Sequence, residues 1–225
     1  MKRILAAIIA AALLLSGCTS ASRPAESAPP TEMPSPSPTP VVTPTPEPEP
    51  ADGELVLVRD YIPGIFIDLK YATTDNFTGR VIYDSDEAYL RYGTVKKLLC
   101  AQNELSGRGL SLKIWDAYRP VSAQFKLWEI CPNPVYVSDP NNGYSKHSRA
   151  NTVDITLVTD TGKSIPMPSG FDDFTSLADR DYSDVSDEAA ENARLLENVM
   201  VENGFVPYSG EWWHYSDSVA YDVYG

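Results

Sequence analysis

The sequence has few histidines and few basic residues. Among its 225 residues are two histidines and three cysteines, and 18 basic residues stand against 31 acidic ones, which gives a formal net charge of −13. A nucleic-acid-binding protein normally presents a basic face, so this balance argues against nucleic acid as a partner. The chain also lacks internal repeats and any apolar run of the roughly 20 residues that a membrane-spanning helix needs. A chain of this length with 43% hydrophobic residues is enough for one globular domain but not comfortably for two.

Residues 1–17 have the pattern of a bacterial export signal. Lys2 and Arg3 precede an apolar run of 12 residues, from position 4 to position 15, and so short a run is typical of a signal peptide. It ends in Leu-Ser-Gly-Cys at positions 15–18, which resembles the lipobox of bacterial lipoproteins, where the cysteine carries the lipid. We expect a lipoprotein signal peptide, a lipidated Cys18 that anchors the chain to the membrane, and a location in the cell envelope at the outer face of the cytoplasmic membrane. The alternative is an ordinary signal peptide with a chance cysteine.

Residues 18–52 predict a disordered, proline-rich linker behind the lipidated cysteine. Eleven of the nineteen prolines fall between positions 19 and 52, and no aromatic residue does. Such a composition cannot bury enough apolar surface to fold, so we expect an extended tether. The globular domain is predicted to cover residues 53–225.

The pattern of that domain predicts an α+β fold, a single domain with a central, mainly antiparallel sheet flanked by helices. Helices and strands are mixed without the regular alternation of a β-α-β protein. Apolar residues at helical spacing, a proline at a first turn and a glycine stop indicate the helices. Helices are predicted at 94–105, 121–130 and 187–203, and strands at 54–59, 65–69, 110–115, 152–158 and 212–215.

Cys100 and Cys131 are the cysteines left in the mature chain. An exported protein meets conditions that permit a disulfide, and free cysteines also pack well as small apolar residues. Their spacing fits no metal motif. The sequence leaves open whether they are bonded.

The two histidines lie in polar, aromatic surroundings together with carboxylates. His147 precedes Asp154 in one segment, and Glu211 precedes His214 in another. Two imidazoles and a carboxylate make a three-ligand set that leaves a fourth zinc position open for water. Asp154 stands within an apolar strand, where an inward carboxylate is costly unless a positive group pairs with it. By spacing alone, an ordinary histidine–aspartate hydrogen bond explains these residues as well as a metal does.

The segments around the histidines carry a more specific pattern. The run from position 145 to 154 has the form S-x-H-S-R-x-x-x-x-D, and positions 211–214 read E-W-W-H. Together with DLKYATTDNFTG at 68–79, WDAYRP at 115–120 and FD at 171–172, they resemble the motifs of the D-alanyl-D-alanine dipeptidases of the vancomycin-resistance type. That family belongs to the zinc D,D-peptidases that share the fold of the hedgehog signalling domain. The resemblance covers about residues 55–220.

The resemblance implies a role for each matching residue. His147, Asp154 and His214 would bind one Zn²⁺ per chain, Glu211 would act as general base on the attacking water, and Arg119 would stabilise the oxyanion or hold the substrate carbonyl. Tyr71 and Asp172 would lie at the ammonium end of the substrate. A salt bridge to Asp116 is the structural alternative for Arg119. A buried tyrosine and a turn aspartate are the alternatives for the other two.

The implied function is hydrolysis of D-Ala-D-Ala or a related D,D-dipeptide in cell-wall peptide turnover. A D,D- or L,D-carboxypeptidase acting on peptidoglycan-derived peptides is the nearest alternative, and a non-catalytic, zinc-containing wall-binding module is another. Such carboxypeptidases typically carry E-P-W-H, so Trp212 favours the dipeptidase. Lys146, Ala150 and Pro168 depart from the family pattern, where serine, glycine and glycine are usual. They affect no catalytic group. The sequence does not give the oligomeric state, and other divalent metals suit the same ligands.

Overall fold

The computed structural model describes residues 48–225, and the predicted signal peptide, Cys18 and the linker up to position 47 lie outside the described residues. Within that range, no helix combines the length and apolarity needed to cross a membrane. The described chain forms seven strands and four helices. In chain order they are β1 Leu55–Leu57, α1 Val58–Tyr61, β2 Phe66–Ile67, β3 Tyr89–Arg91, α2 Tyr92–Ser106, β4 Leu110–Asp116, α3 Val121–Ile130, β5 Thr152–Thr159, α4 Asp187–Glu202, β6 Phe205–Tyr208 and β7 Glu211–Asp217.

The central sheet has five strands in the order β2-β4-β5-β7-β6. β2 and β4 run parallel, and the other three neighbouring pairs are antiparallel. A separate antiparallel pair joins β1 to β3. The predicted α+β fold with a mainly antiparallel central sheet flanked by helices is therefore confirmed.

Two long helices, α2 and α4, pack on one another and on the sheet. α4 begins where the Ser186 hydroxyl accepts a hydrogen bond from the Ala189 amide, with Asp187 and Glu188 in its first turn; these features satisfy a free amide and complement the helix dipole. After its last residue, Gly204 takes the left-handed conformation at φ 85°, which glycine adopts without steric cost. The cap and the stop fix the direction in which the chain returns to the sheet as β6.

The alternation of side chains along β5 determines which of them point to the face of the sheet that carries the site. Val153 and Ile155 are fully buried, and because successive side chains point to opposite faces, Asp154 lies on the other side of the sheet from them. In the neighbouring strand, His214 is directly opposite Asp154. Cross-strand partners of this kind project on the same face with close Cβ atoms. The pairing of β5 with β7 thus brings a carboxylate and an imidazole together.

β4 carries an irregularity that changes which way Asp116 points. Ile114 pairs with Ile155 and Asp116 pairs with Asp154, so the register shifts around Trp115. In a regular strand, Ile114 and Asp116 would share a face. The extra residue turns Asp116 towards the face of Asp154, which is how bulges commonly re-aim side chains near functional sites.

Some predicted elements have different bounds. The predicted strand 54–59 ends at Leu57, and the chain continues as the single-turn helix α1. Strands β3 and β6 were not predicted; each is defined by its pairing with a neighbouring strand, β1 and β7 respectively. Cys100 and Cys131 are free thiols.

Candidate metal centre and active site

Three side chains from separate elements converge on the site face of the sheet. His147 comes from a short 3₁₀ turn, Lys146–Arg149, Asp154 from β5 and His214 from β7. One ligand atom from each lies within 4.8 Å of the others. Two imidazole nitrogens and a carboxylate oxygen in such a cluster are a suitable donor set for Zn²⁺.

The hydrogen bonds of His147 fix which of its nitrogens can bind a metal. Its Nδ1 lies 2.9 Å from the Ala117 carbonyl oxygen, which can only accept, so Nδ1 carries the proton and donates. Nε2 is then left with a lone pair, 3.3 Å from Asp154 Oδ2. A lone pair and a carboxylate oxygen facing each other fit a shared cation. The backbone contact also orients the ring, as is usual for metal-binding histidines.

Asp154 is the centre of the cluster. Its Oδ1 lies 2.9 Å from His214 Nδ1, and its side chain is almost fully buried. Burial alone would raise the pKa of this carboxyl. When His147 is protonated at both ring nitrogens, its charge and the hydrogen bonds from both histidines outweigh burial and hold the pKa well below its usual range. A cation at Nε2 would take the place of that proton. The carboxylate is therefore ionised and available to a cation at neutral pH.

Glu211 lies beside the cluster without being part of it. Its Oε2 is 3.5 Å from His214 Nδ1. Burial raises the pKa of the Glu211 carboxyl, and the nearby negative charge of Asp154 raises it further. A carboxylate with a raised pKa is a better proton acceptor, and general bases are commonly tuned in this way.

Arg119 is buried, and three neighbours hold its guanidinium. Asp116 Oδ2 accepts from Nη2 at 2.5 Å and from Nε at 3.2 Å, and Gln124 Oε1 accepts from Nη1 at 2.9 Å. The guanidinium also lies over the Tyr71 ring, 5.1 Å from its centroid. Arg119 makes the salt bridge to Asp116 and also lines the cavity, and its role toward a substrate stays a prediction. Its planar fork has five N–H groups, so donors remain for a ligand.

Tyr71 and Asp172 form a second polar pair. The Tyr71 hydroxyl donates to Asp172 Oδ2 at 2.7 Å. Burial raises the pKa of Asp172 to about 7, although the hydrogen bond from Tyr71 acts in the opposite direction. Asp172 also has a left-handed backbone, with φ 53°, a conformation that non-glycine residues seldom adopt and that clusters at functional sites.

All seven site residues predicted within the described chain line one cavity of about 300 Å³. This is at the lower end of the size of small-molecule sites. The cavity is also lined by residues that the sequence did not single out, among them Leu127, Tyr136, Val137 and Tyr208. None of these residues belongs to a motif. Leu127 lies in α3 and Tyr208 in β6, whereas Tyr136 and Val137 lie in a loop whose conformation periodicity does not describe. Asp116 was named from the sequence as a salt-bridge partner of Arg119, whereas the contact of Gln124 with Arg119 was not predicted.

The departures from the family pattern have structural consequences. Lys146 is exposed and lines the cavity, with no ion pair among residues 48–225. Ala150 ends the 3₁₀ turn at φ 59°, which explains why a glycine is usual there. Trp212 is fully buried, and its indole donates to Ser169 Oγ at 2.9 Å.

Comparison with known proteins identifies relatives of this chain. The family model described as D-ala-D-ala dipeptidase matches residues 51–222. The chain is 39% identical to the D-alanyl-D-alanine dipeptidase of Escherichia coli (strain K12) over 72% of this chain and 83% of that protein. It is 35% identical to the enzyme of the same name from Enterococcus faecium over 69% of this chain and 87% of that protein.

Among solved structures, VanYB in complex with D-Alanine-D-Alanine aligns with 60% of this chain and 75% of that chain, at 17% identity and a TM-score of 0.41. The match of the family model to most of the chain, and identities of 35–39% to relatives that are covered over more than two thirds of their length, establish the family. This chain belongs to the D-ala-D-ala dipeptidase family.

Proposed function

We propose that this protein is a zinc-dependent peptidase that hydrolyses D-Ala-D-Ala or a closely similar D,D-dipeptide. Family membership supports the reaction, and the small cavity suits a small substrate. One observation carries the proposal: the His147, Asp154 and His214 ligand atoms converge within 4.8 Å in the cavity that Glu211 and Arg119 also line. A metal-ligand set, a general base and a cationic donor then share one site.

His147, Asp154 and His214 are the residues that would hold the zinc, one ion per chain. When bound, zinc supplies Lewis acidity that lowers the pKa of water to about 7. Two histidines and a carboxylate also suit other divalent metals. The Nδ1–H of His147 donates a hydrogen bond to a backbone carbonyl, which leaves its Nε2 free for this role.

Glu211 would move the protons of the reaction. It accepts a proton from the attacking water as the water oxygen bonds to the carbonyl carbon. It then delivers that proton to the leaving nitrogen as the carbon–nitrogen bond breaks, which gives a free carboxylate and a free amine. Its raised pKa, caused first by burial, suits a group that must both take and return a proton near neutral pH.

Arg119 and Asp172 would handle the charges of the substrate. The free donors of Arg119 stabilise the negative charge that develops on the carbonyl oxygen, and its ties to Asp116 and Gln124 keep it in place without reorganisation. Asp172, supported by the Tyr71 hydroxyl, is placed to bind the substrate ammonium. A carboxylate in a buried position is stabilised by such a partner.

The location of the enzyme is proposed from the sequence. The basic pair, the short apolar run and Cys18 support export, lipidation and attachment to the outer face of the cytoplasmic membrane through a proline-rich tether. There the substrate would be a wall-derived peptide. Incorporation of labelled fatty acid into the wild type but not into Cys18→Ala tests this part of the proposal.

The test of the activity is release of D-alanine from D-Ala-D-Ala by the purified protein, with and without a chelator. L-Ala-L-Ala and a pentapeptide ending in D-Ala-D-Ala serve as comparison substrates. We expect chelator-sensitive hydrolysis of the D,D-dipeptide alone. Cleavage of the pentapeptide in preference would instead make the protein a carboxypeptidase, and absence of any cleavage would favour a binding module.

Glu211→Gln is the matched control for that assay. The amide keeps the size of the side chain but cannot accept the proton, so turnover should fall by a factor of about 10² to 10⁴. The variant should still bind one metal ion, because Glu211 is not in the ligand set. Loss of metal together with activity would show that Glu211 acts as a ligand instead.

A further inference from the structure

Two aromatic rings from different loops pack together beside the cavity, and one of them, Tyr136, lines it. The rings of Tyr136 and Phe174 have centroids 4.4 Å apart and planes inclined by 34°. Both side chains are more than 40% exposed, at 44% and 42%. Contact between two exposed aromatic rings normally contributes little to the stability of the fold. A close pair formed across two loops therefore suggests a functional role.

Phe174 is supported from inside by the aromatic residues of the site. Its ring lies 5.3 Å from that of Phe77, and Phe77 lies 6.4 Å from Tyr71, both edge to face. The Tyr71 hydroxyl in turn binds Asp172. Phe174 follows Asp172 by two positions in the same loop. The Phe174 side of the pair is thereby connected to the residues that would bind the substrate ammonium.

Tyr136 is held from the other side by the loop between α3 and the 3₁₀ turn that carries His147. Its backbone amide donates to the Asn133 carbonyl at 3.0 Å, and its neighbour Val137 is buried. One step further, the Ser138 carbonyl accepts from Gln124 at 2.7 Å. Tyr136 itself lines the cavity, as does Asp172. Through Tyr136, the pair therefore borders the cavity on the side where the loop of Asp172 meets the loop of Tyr136.

We infer that the Tyr136–Phe174 pair limits substrate length at the amino end. The inference rests on the proposed function, in which Asp172 binds the ammonium of a dipeptide. A peptide extended beyond its amino end has to leave the cavity past Asp172, in the direction that the two rings block. The rings are specificity determinants, and the reacting atoms do not touch them.

The experiment compares substrates that differ at the amino end only. D-Ala-D-Ala, N-formyl-D-Ala-D-Ala and L-Lys-D-Ala-D-Ala are assayed with the full protein and its variants. The formyl compound lacks the ammonium and adds little bulk. We therefore compare kcat/KM for the tripeptide with kcat/KM for the formyl compound, and the ratio of the two measures the steric limit separately from the charge of Asp172. Tyr136→Ala, Phe174→Ala and the double variant open the mouth, and Tyr136→Phe keeps the ring.

Matched controls remove exposed aromatic residues elsewhere. Tyr144→Ala removes a tyrosine of the same loop that is 48% exposed, and Phe125→Ala removes a phenylalanine of α3 that is 45% exposed. An aromatic pair of this kind favours the closed arrangement by a factor of about 2 to 13. We expect the ratio to rise by about that factor in each single alanine variant and further in the double variant. It should stay at the wild-type value in Tyr136→Phe and in both controls.

The outcomes separate the length limit from the proposed function. If the wild type hydrolyses the dipeptide and the ratio is the same in the alanine variants as in the controls, the length limit is wrong and the proposed function stands. A wild type that cleaves the tripeptide as well as the formyl compound also contradicts the limit. A wild type that hydrolyses none of the three contradicts the proposed function and, with it, the inference. Because Tyr136 and Phe174 are half exposed, a variant that misfolds is replaced by its leucine counterpart, which also lacks a ring.

Discussion

Asp172 shows how one residue combines a structural cost with a functional role. Its side chain is partly buried, its backbone is left-handed, and desolvation of the carboxyl raises its pKa to about 7. The usual value for aspartate is 3.8, so the unfolded chain loses this proton at a lower pH than the folded protein does. Between pH 4 and pH 7 the folded state binds more protons, and stability falls as pH rises through that window.

Asp172→Asn should therefore be more stable than the wild type at pH 8. The amide cannot ionise, still accepts the Tyr71 hydrogen bond and tolerates a positive φ. The difference in free energy of unfolding should be on the order of 4 kcal/mol above pH 7 and vanish below pH 4. Urea unfolding of both proteins across this range, in chelator so that metal binding does not contribute, measures it.

The same substitution should raise the KM for D-Ala-D-Ala, because the ammonium loses its anionic partner. Greater stability with weaker substrate binding is the usual trade-off at a functional site. A stability difference that does not change with pH would mean that Asp172 is not the titrating group.

At the scale of secondary structure, the elements with strong periodicity were predicted and those held by tertiary contacts were not. α3 has the predicted bounds, Val121–Ile130, since a proline before its first turn and regular apolar spacing define it. Strands β3 and β6, of three and four residues, exist because neighbouring strands pair with them. No local sequence pattern predicts that these two segments pair with their neighbours.

Some residues of the site were likewise predicted from the sequence, and others were not. The ligand set, Glu211 and Arg119 were predicted through motif resemblance, and they do share a cavity. The bulge at Trp115, which turns Asp116 towards the site, depends on the register between β4 and β5, and a single sequence does not reveal register. Loop 131–145, which supplies Tyr136, lacks any periodicity to read.

α3 contributes Gln124, which connects two parts of the site. Its Oε1 accepts from Arg119 and its Nε2 donates to the Ser138 carbonyl of the Tyr136 loop, while the side chain is fully buried. Gln124→Leu leaves both partners unsatisfied, and each buried unsatisfied group costs about 1–3 kcal/mol. We expect a clear loss of stability together with a fall in kcat of about tenfold, since Arg119 keeps its contacts with Asp116 but loses the one that fixes Nη1.

Gln124→Glu separates the two contacts. A carboxylate still accepts from Arg119 but cannot donate to the Ser138 carbonyl. This variant should retain more of the wild-type kcat than Gln124→Leu, while the loop is loosened in both. Steady-state kinetics and urea unfolding of the pair decide the matter. Equal kcat in the two variants would indicate that the loop, and not the position of Arg119, controls the rate.

At the scale of the whole molecule, we predict that metal binding at the proposed site stabilises the fold as well as supporting the reaction. The cluster joins a 3₁₀ turn, β5 and β7, and Asp154 and His214 are 60 positions apart in the chain. A buried carboxylate between two imidazoles is poorly compensated unless a cation shares them. A ligand that binds only the folded state stabilises it by about 2.7 kcal/mol at one hundred times its Kd.

Zinc at that excess should raise the Tm by about 5–10 °C, since each kcal/mol shifts the Tm of a domain of this size by roughly 2–4 °C. A chelator should reverse the shift. Asp154→Asn should lose most of it because the central anionic ligand is gone, whereas Glu211→Gln should keep it, being outside the ligand set. Thermal unfolding of the three proteins with and without zinc measures this independently of turnover. The same shift in all three would place the metal elsewhere in the chain, and its loss in Asp154→Asn alone would tie the stability of the domain to this cluster.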